Sequence, residues 1–370
     1  MSDRGETITT QEQATIEEKD SIENSLEEES DGKIIFRYSI ASYGADYTID
    51  SLVRRIQDGS IYLPSFQRAY VWNINVASRF IESLLLGLPV PGIFLSKEQD
   101  TNKLLVIDGS QRLRTLQYFY EGVFYPTKKE FALKDVEPKF EGFTYKSLPS
   151  EYRRSLDDSI LHATIVKQDE PSDDNSSIYN IFERLNSGGT TLTSQEIRGG
   201  IYHGKFKDLL KQLNQNNSWR DIYGKSDSRM RDEEMILRFL ALYFNGYSYK
   251  KPLKEFLNQF MGKNRSLKLH SESQIRQAFE GTIEVIHQSL GVQAFKPKKL
   301  INAAVFDAVM IGLARRLEKS KIDSETLKDR YQKLLNNEEF RRFTVDTART
   351  TEEDAVKGRI EIATKVFAAL

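Results

Sequence analysis

Short apolar runs alternate with segments of helical periodicity over the first 200 residues. The apolar runs predict buried strands at 34–43, 92–96, 103–108 and 160–168. Between them, apolar residues three and four positions apart predict helices at 47–61, 73–87, 111–122, 178–185 and from 193. Residues 123–158 show no regular pattern and are expected to be irregular. Alternating short strands and helices indicate an α/β arrangement.

The pattern changes near residue 201, after which every periodic segment is helical. The nearly continuous apolar run at 235–244 predicts a central helix, and the segment 303–317 is expected to pack against it. The full set of predicted helices is 203–215, 229–245, 251–261, 270–290, 298–318, 323–336 and 352–369. The fold class predicted is therefore α+β, with an α/β domain of short strands at 32–200 and an all-helical domain at 201–370.

Charge separates a third segment from these two. Residues 1–31 hold eleven Asp/Glu and two Lys/Arg, a net charge of −9, while the remainder of the chain carries +8. Such a tail buries too little apolar surface to offset its ordering entropy, so we expect it to be disordered. Two interpretations stay open: a solubilising tail, or a tail that covers a basic surface until nucleic acid displaces it.

The amino-acid composition excludes several classes of function for this chain. The chain has no cysteine, which excludes disulfides, a thiol nucleophile and cysteine-ligated zinc. The longest uncharged run, at 83–96, spans 14 residues with two prolines and is too short to cross a bilayer. No apolar signal core is present at the N-terminus. These features predict a soluble cytoplasmic protein without a membrane partner.

A polar cluster, Asp108-Gly109-Ser110-Gln111-Arg112, joins a predicted strand to a predicted helix. Ser110 is expected to be the N-cap, and the free N–H groups of the first helical turn favour an anion. Gly109 would let a phosphate approach the backbone, Arg112 would grip it, and Asp108 would hold Mg²⁺ or a ribose hydroxyl. Local pairing of Arg112 with Asp108 explains the same residues without a ligand.

Two further polar clusters flank this one in sequence. In the segment IFERLNSGGTTLTSQEIR, Arg184 and Asn186 precede a Gly-Gly turn, and Thr193 with Glu196 forms a predicted capping box. In LPSFQRAYVW, Arg68 lies among aromatic residues, which are expected to be core rather than base-stacking residues. An arginine in an apolar stretch requires an anionic partner.

These three segments, in this order and spacing, resemble the N-terminal domain family of the GmrSD-type restriction endonucleases. The resemblance implies a ParB/sulfiredoxin-like fold that binds nucleoside triphosphates, hydrolyses them in some members, and serves prokaryotic systems directed against modified foreign DNA. The family's Asp-Gly-Gln-Gln-Arg motif falls on residues 108–112, where Ser110 replaces the first Gln. Its Phe-x-Arg-x-Asn motif falls unchanged on Phe182, Arg184 and Asn186.

The resemblance turns the three clusters into one expected nucleotide site with Mg²⁺ as cofactor. Asp108 would hold Mg²⁺ or orient water, and Gln111 is the second candidate catalytic residue. The phosphates would bind at the start of the helix; the expected binding residues are Arg68, Gly109, Ser110, Arg112, Arg184 and Asn186. Because Ser110 shortens the family's Gln, hydrolysis stays open while binding is expected.

Many members of the family also carry a His-Asn-His nuclease region, whereas the histidines of this chain, His162, His203, His270 and His287, are isolated in sequence. Each is expected to be structural, so cleavage is assigned to a separate nuclease or defence subunit that acts with DNA. Two alternatives stay open: a nucleotide-independent DNA-binding module, favoured by the basic clusters at 225–231 and 296–299, and a ParB-like nuclease.

Overall fold

The computed structural model describes residues 39–63, 70–98, 101–170, 176–185 and 192–368. Within these ranges the chain divides into two compact units, the first ending at Ile201 and the second beginning at Tyr202. The acidic segment 1–31 lies outside the described residues. Across the described ranges, every helix is too short or too polar to span a bilayer.

A mixed five-stranded sheet forms the centre of the first unit, with strand order β1-β7-β3-β4-β2. Its strands are β1 Ser39–Thr48, β2 Ile61–Tyr62, β3 Ile93–Lys97, β4 Leu104–Asp108 and β7 Ile160–Glu170. β1 is antiparallel to β7 and β3 is antiparallel to β4, whereas the β7–β3 and β4–β2 pairs are parallel. A small hairpin, β5 Val123–Phe124 with β6 Lys129–Glu130, lies apart from the main sheet.

The described residues of this unit form six helices: α1 Ile49–Gln57, α2 Ile74–Leu85, α3 Ser110–Glu121, α4 Ser150–Asp158, α5 Ser176–Leu185 and α6 Ser194–Ile201. Leu113 and Leu116 of α3 are fully buried and join one core with Val106 of β4 and Ala163 of β7. Burying a leucine contributes roughly 1.5–3 kcal/mol, so the three- and four-residue spacing fixes which side of each helix meets the sheet. One side of the sheet thereby carries the main core of the unit.

Three local expectations in this unit are wrong. β1 runs on to Thr48, where a helix was expected from residue 47, because its ladder with β7 continues to the Thr48–Ile160 pair and Thr48 then caps α1. The three- and four-residue spacing of apolar positions in the helix expected at 73–87 predicts that Val76 faces the core, but Val76 is 42% exposed and Ala77 is buried instead. The region 123–158 is not irregular, since it contains the β5–β6 hairpin and α4.

The second unit is helical throughout residues 202–368, as expected. Its α-helices are α7 Lys205–Leu213, α8 Asn217–Tyr223, α9 Arg231–Asn245, α10 Leu253–Asn264, α11 Glu272–Leu290, α12 Ala303–Leu317, α13 Ser324–Leu335, α14 Glu338–Thr344 and α15 Glu353–Ala368. The short helices α8 and α14 were not predicted, because seven residues are too few for a clear periodicity. α9 packs against α12, as predicted, and α12 also packs along α15. The α+β fold class predicted from the sequence is confirmed.

Three charged side chains form a buried ion-pair cluster in the helical unit. Asp307 of α12 accepts hydrogen bonds from Arg238 of α9 and from Arg359 of α15, each at 2.8 Å, and all three side chains are buried. Burial lowers the pKa of Arg359, while the adjacent carboxylate of Asp307 opposes that shift. Two cations thus share one anion in the interior, where removing a partner of a buried pair is strongly destabilising.

Glu233, near the start of α9, provides a pH-dependent test of this unit. Burial, followed by the neighbouring Asp232 carboxylate, raises the pKa of Glu233 to about 7, so folding opposes its ionisation. Stability should therefore fall as the pH rises from the unfolded-state pKa of 4.5 through about 7. Glu233→Gln removes this penalty and is expected to stabilise the unit by about 1–3 kcal/mol at about pH 8, with no gain near pH 4.5.

The measurement is chemical denaturation of the full chain followed by Trp219 fluorescence, in a Trp72→Phe background. Trp219 is fully buried in the helical unit and therefore reports its unfolding. Glu361→Gln is the control, since the hydrogen bond from Lys365 lowers the pKa of that exposed carboxyl and no stabilisation is expected. An equal gain for Glu233→Gln at both pH values would contradict the assignment.

Candidate functional site

The turn from β4 into α3 places the polar residues 108–112 at one end of the sheet. The pairing of β3 with β4 shifts register between Phe94 and Leu95, so Asp108 lies opposite Phe94. Such a bulge adds one residue and re-aims the side chains that follow it. The four preceding strand residues, 104–107, are all buried, whereas the Asp108 side chain is 48% exposed.

Gly109 is the N-cap of α3, and the prediction that Ser110 would be the cap is wrong. Gly109 has φ 97°, a left-handed conformation, and Ser110 is the first helical residue. A Cβ at position 109 would collide with the Ile93 side chain, so the fold itself requires glycine here. No side chain of the described residues caps the helix start, and the first turn contains no acidic residue. Its N–H groups and the positive end of the helix dipole are therefore open to an anion.

Arg112 lies over this helix start with its position fixed by two hydrogen bonds. Its Nη2 donates to Asp108 Oδ2 at 2.9 Å and to the Gly92 carbonyl at 3.0 Å, and the side chain is only 16% exposed. The local Arg112–Asp108 pair that the sequence left open is thus confirmed. Arg112 Nε is buried and lacks a hydrogen-bond partner among the described residues. A buried donor of this kind requires an acceptor.

Gln111 connects α3 to the segment that follows the LPSFQR motif. Its Oε1 accepts from the Val71 N–H at 3.0 Å, and its buried Nε2 has no partner in the described ranges. The Tyr70 hydroxyl shares a 2.7 Å hydrogen bond with Thr115, one turn further along α3. Arg68 lies outside the described residues. Its motif is nevertheless attached to α3 through Tyr70 and Val71.

The described aromatic residues of this motif, Tyr70 and Trp72, are packing residues, as predicted, and Phe66 lies outside the described residues. Tyr70 contacts Tyr118 at a ring distance of 5.0 Å, and Trp72 contacts Phe80 at 5.7 Å. Burial raises the pKa of Tyr70 to about 12, so its hydroxyl stays protonated at neutral pH. These rings stabilise the loop rather than offering a free stacking surface.

The Phe-x-Arg-x-Asn segment begins on α5, which packs against β4 and β7. Phe182 is fully buried, while Arg184, in the last turn, is exposed. Asn186 lies outside the described residues. The capping box is confirmed, since the Thr193 N–H donates to Glu196 Oε2 at 2.6 Å and the Glu196 N–H donates to Thr193 Oγ1 at 3.2 Å.

Each histidine has a partner, and the structural interpretation fits three of them. His203 accepts from Arg265, His270 stacks on Phe244 with rings 4.0 Å apart, and His287 Nε2 lies 3.3 Å from Asp221. His162 differs, because its ring is 61% exposed and its Nδ1 lies 2.8 Å from Asp46 Oδ1. No pattern along the chain indicates this pair, since the two residues meet only through the β1–β7 register.

The basic clusters at 225–231 and 296–299 are tied into the helical unit. Arg231 lies 3.8 Å from Asp227, and Lys296 donates to the Ile222 carbonyl at 2.8 Å. Burial lowers the pKa of Lys296. These contacts show part of the two clusters bracing the fold rather than extending toward solvent.

The β4–α3 turn fits the phosphates of a nucleotide. It combines open helix N–H groups with two buried donors that have no partner in the described part of the chain, Gln111 Nε2 and Arg112 Nε. The turn offers Mg²⁺ a single carboxylate, that of Asp108. Mg²⁺ is commonly bound by one or two carboxylates together with phosphate oxygens, so the turn fits Mg²⁺ only when the phosphates are ligands as well. Among the described residues, no three metal-ligating side chains cluster together.

A comparison with known protein families found a match over part of the chain. Residues 49–203 match the family model described as GmrSD restriction endonuclease, N-terminal domain. These residues belong to that family, as the motifs predicted. No curated protein matches the chain.

The glycine at the turn can be tested by substitution. Gly109→Ala is expected to cost about 1–3 kcal/mol of stability from backbone strain, and more because Ile93 must move. Gly122→Ala, at the other end of α3, is the matched control, since Gly122 has φ 77° with no atom within 4 Å of its Cβ position. Urea denaturation of both variants should show the larger loss for Gly109→Ala. Equal losses would mean that Ile93 does not constrain the turn.

Proposed function

We propose that the first unit binds a nucleoside triphosphate with its phosphates at the start of α3. The observation that carries this proposal is the uncapped first turn beneath the fixed guanidinium of Arg112. Aligned peptide dipoles, free N–H groups and a pre-placed cation together favour phosphate. Gln111 Nε2 supplies a further unsatisfied donor on the same turn.

In this site Asp108 is the residue that would hold Mg²⁺, which would neutralise phosphate charge when bound. Asp108 already accepts from Arg112, so the two residues can position a cation and an anion next to each other. By resemblance to the family, Arg68, Arg184 and Asn186 complete the site. Ser110 takes the place of a longer amide side chain and leaves its backbone N–H as the contact.

We further propose that the chain acts in a prokaryotic restriction or defence system together with DNA. This role rests on the family description of residues 49–203 as a restriction endonuclease domain. Cleavage is assigned to a separate nuclease, because the four histidines are isolated in sequence and no three metal-ligating side chains cluster among the described residues. The nucleotide would then regulate or power that nuclease.

Nucleotide binding can be tested by thermal-shift screening of the full chain against ATP, GTP, CTP and UTP with Mg²⁺, followed by calorimetric titration. A ligand that binds only the folded state raises its apparent stability. Arg112→Ala removes a charge-assisted contact and is expected to weaken binding about 10–100-fold. Arg54→Ala is the control, since Arg54 forms the same kind of pair with Asp50 on α1. Unchanged affinity in Arg112→Ala would refute the site.

The DNA-binding alternative gives a different result in the same preparation. A module without nucleotide chemistry would show DNA affinity that falls steeply with salt and does not respond to nucleotide. The proposed function predicts instead that the nucleotide identified by calorimetry binds without DNA.

A further inference from the structure

A second polar pair lies on the same side of the sheet as Asp108. Asp108 pairs with Phe94, Phe94 pairs with Thr164, and adjacent residues in these pairs share a sheet face. His162 is two residues before Thr164, so it faces the same way. Asp46 lies directly opposite His162 in the β1–β7 ladder. The neighbours Leu161 and Ala163 face the core and are fully buried.

Two glycines form the floor around His162. A Cβ at Gly44 would come 2.9 Å from His162 Cε1, so a side chain at this position would require the imidazole ring to shift from its place over β1. A Cβ at Gly92 would come 2.8 Å from the His162 carbonyl, while the Gly92 carbonyl accepts from Arg112. Gly92 therefore lies between His162 and Arg112, without a side chain to separate them.

The separation suits an extended phosphate chain. His162 lies on β7 and the turn into α3 follows β4, with β3 as the one strand between them. Two strand spacings amount to about 10 Å across the sheet. A triphosphate anchored on α3 can lie over Gly92 with its terminal phosphate toward His162.

The hydrogen bond between His162 and Asp46 leaves the other ring nitrogen of His162 able to accept a proton. A carboxylate that accepts from Nδ1 fixes the tautomer with the lone pair on Nε2. His162 Nε2 has no hydrogen-bond partner among the described residues, and the ring is 61% exposed. The other acceptors near the turn are engaged, because Asp108 accepts from Arg112 and Gln111 Oε1 accepts from Val71.

We infer that His162 is the proton acceptor for hydrolysis of the bound nucleotide and that Asp46 is its positioning residue. This inference rests on the proposed nucleotide site. A water oxygen attacks the terminal phosphorus, the bond from that phosphorus to the bridging oxygen breaks, and its electron pair leaves with the nucleoside diphosphate. The proton of the water passes to His162 Nε2. Asp46 holds the Nδ1 proton and stabilises the imidazolium that forms.

The test compares phosphate release and nucleotide affinity in the full chain for His162→Ala, Asp46→Asn and the control His287→Ala. General base catalysis is worth about 10²–10⁴-fold, so His162→Ala should lose at least 100-fold in kcat with Kd unchanged. Free imidazole should restore part of that turnover. Asp46→Asn should lower kcat without changing KM. His287 pairs with Asp221 in the helical unit, and its replacement should change neither constant.

The outcomes separate the two proposals. A wild-type chain that binds nucleotide but releases no phosphate, or a His162→Ala variant that keeps full turnover, would overturn the role of His162 and leave nucleotide binding standing. Absence of binding to all four nucleotides would refute the proposed function and this inference with it. Loss of affinity together with turnover in His162→Ala would make His162 a binding residue and would overturn its role as base. Since the His162 side chain is exposed, the variant is expected to fold.

Discussion

A single guanidinium group, that of Arg112, holds the candidate site together. Its Nη2 bonds both the carboxylate at the end of β4 and the carbonyl that precedes β3, and the side chain belongs to α3. The helix start, the acid and the adjoining strand are therefore fixed relative to one another before any ligand arrives. A pre-placed cation avoids part of the side-chain ordering cost that binding otherwise carries. The proposed phosphate contacts depend on this arrangement, because without it Arg112 would extend into water as an ordinary surface residue.

Glycines shape the surface beside that arginine, and at each of them a side chain would come too close to a named neighbour. Ile93 occupies the space that a side chain at Gly109 would need, and His162 does the same at Gly44 and Gly92. The result is a stretch of bare backbone between Arg112 and the His162–Asp46 pair. Open backbone of this kind lets a flat or extended ligand approach the sheet closely, which bulky residues at the same positions would prevent.

The sequence predicted the parts of this fold that depend on local pattern. The period of apolar residues located the main helices and strands of the first unit, and the four-residue spacing of Asp108 and Arg112 made their pairing a clear alternative. Prediction from the local pattern failed where a contact with a residue distant in sequence determines the structure. The end of β1 is set by the length of its ladder with β7, and Gly109 replaces Ser110 as N-cap because Ile93 packs against it. The pairing of Asp46 with His162 depends on strand register across more than a hundred residues, which no spacing in the sequence reveals.

The register shift between β3 and β4 has a consequence for how this region can vary. A strand presents alternate residues to opposite sides, and the extra residue in β4 is what turns Asp108 away from the side that carries Leu104 and Val106. Losing one residue there would return the carboxylate to the apolar interior and would also rotate the start of α3. A substitution at the turn changes the contacts of one residue, whereas a deletion would reverse the direction of the whole polar segment. The number of residues in β4 is therefore as strongly constrained as the identity of the residues at the turn.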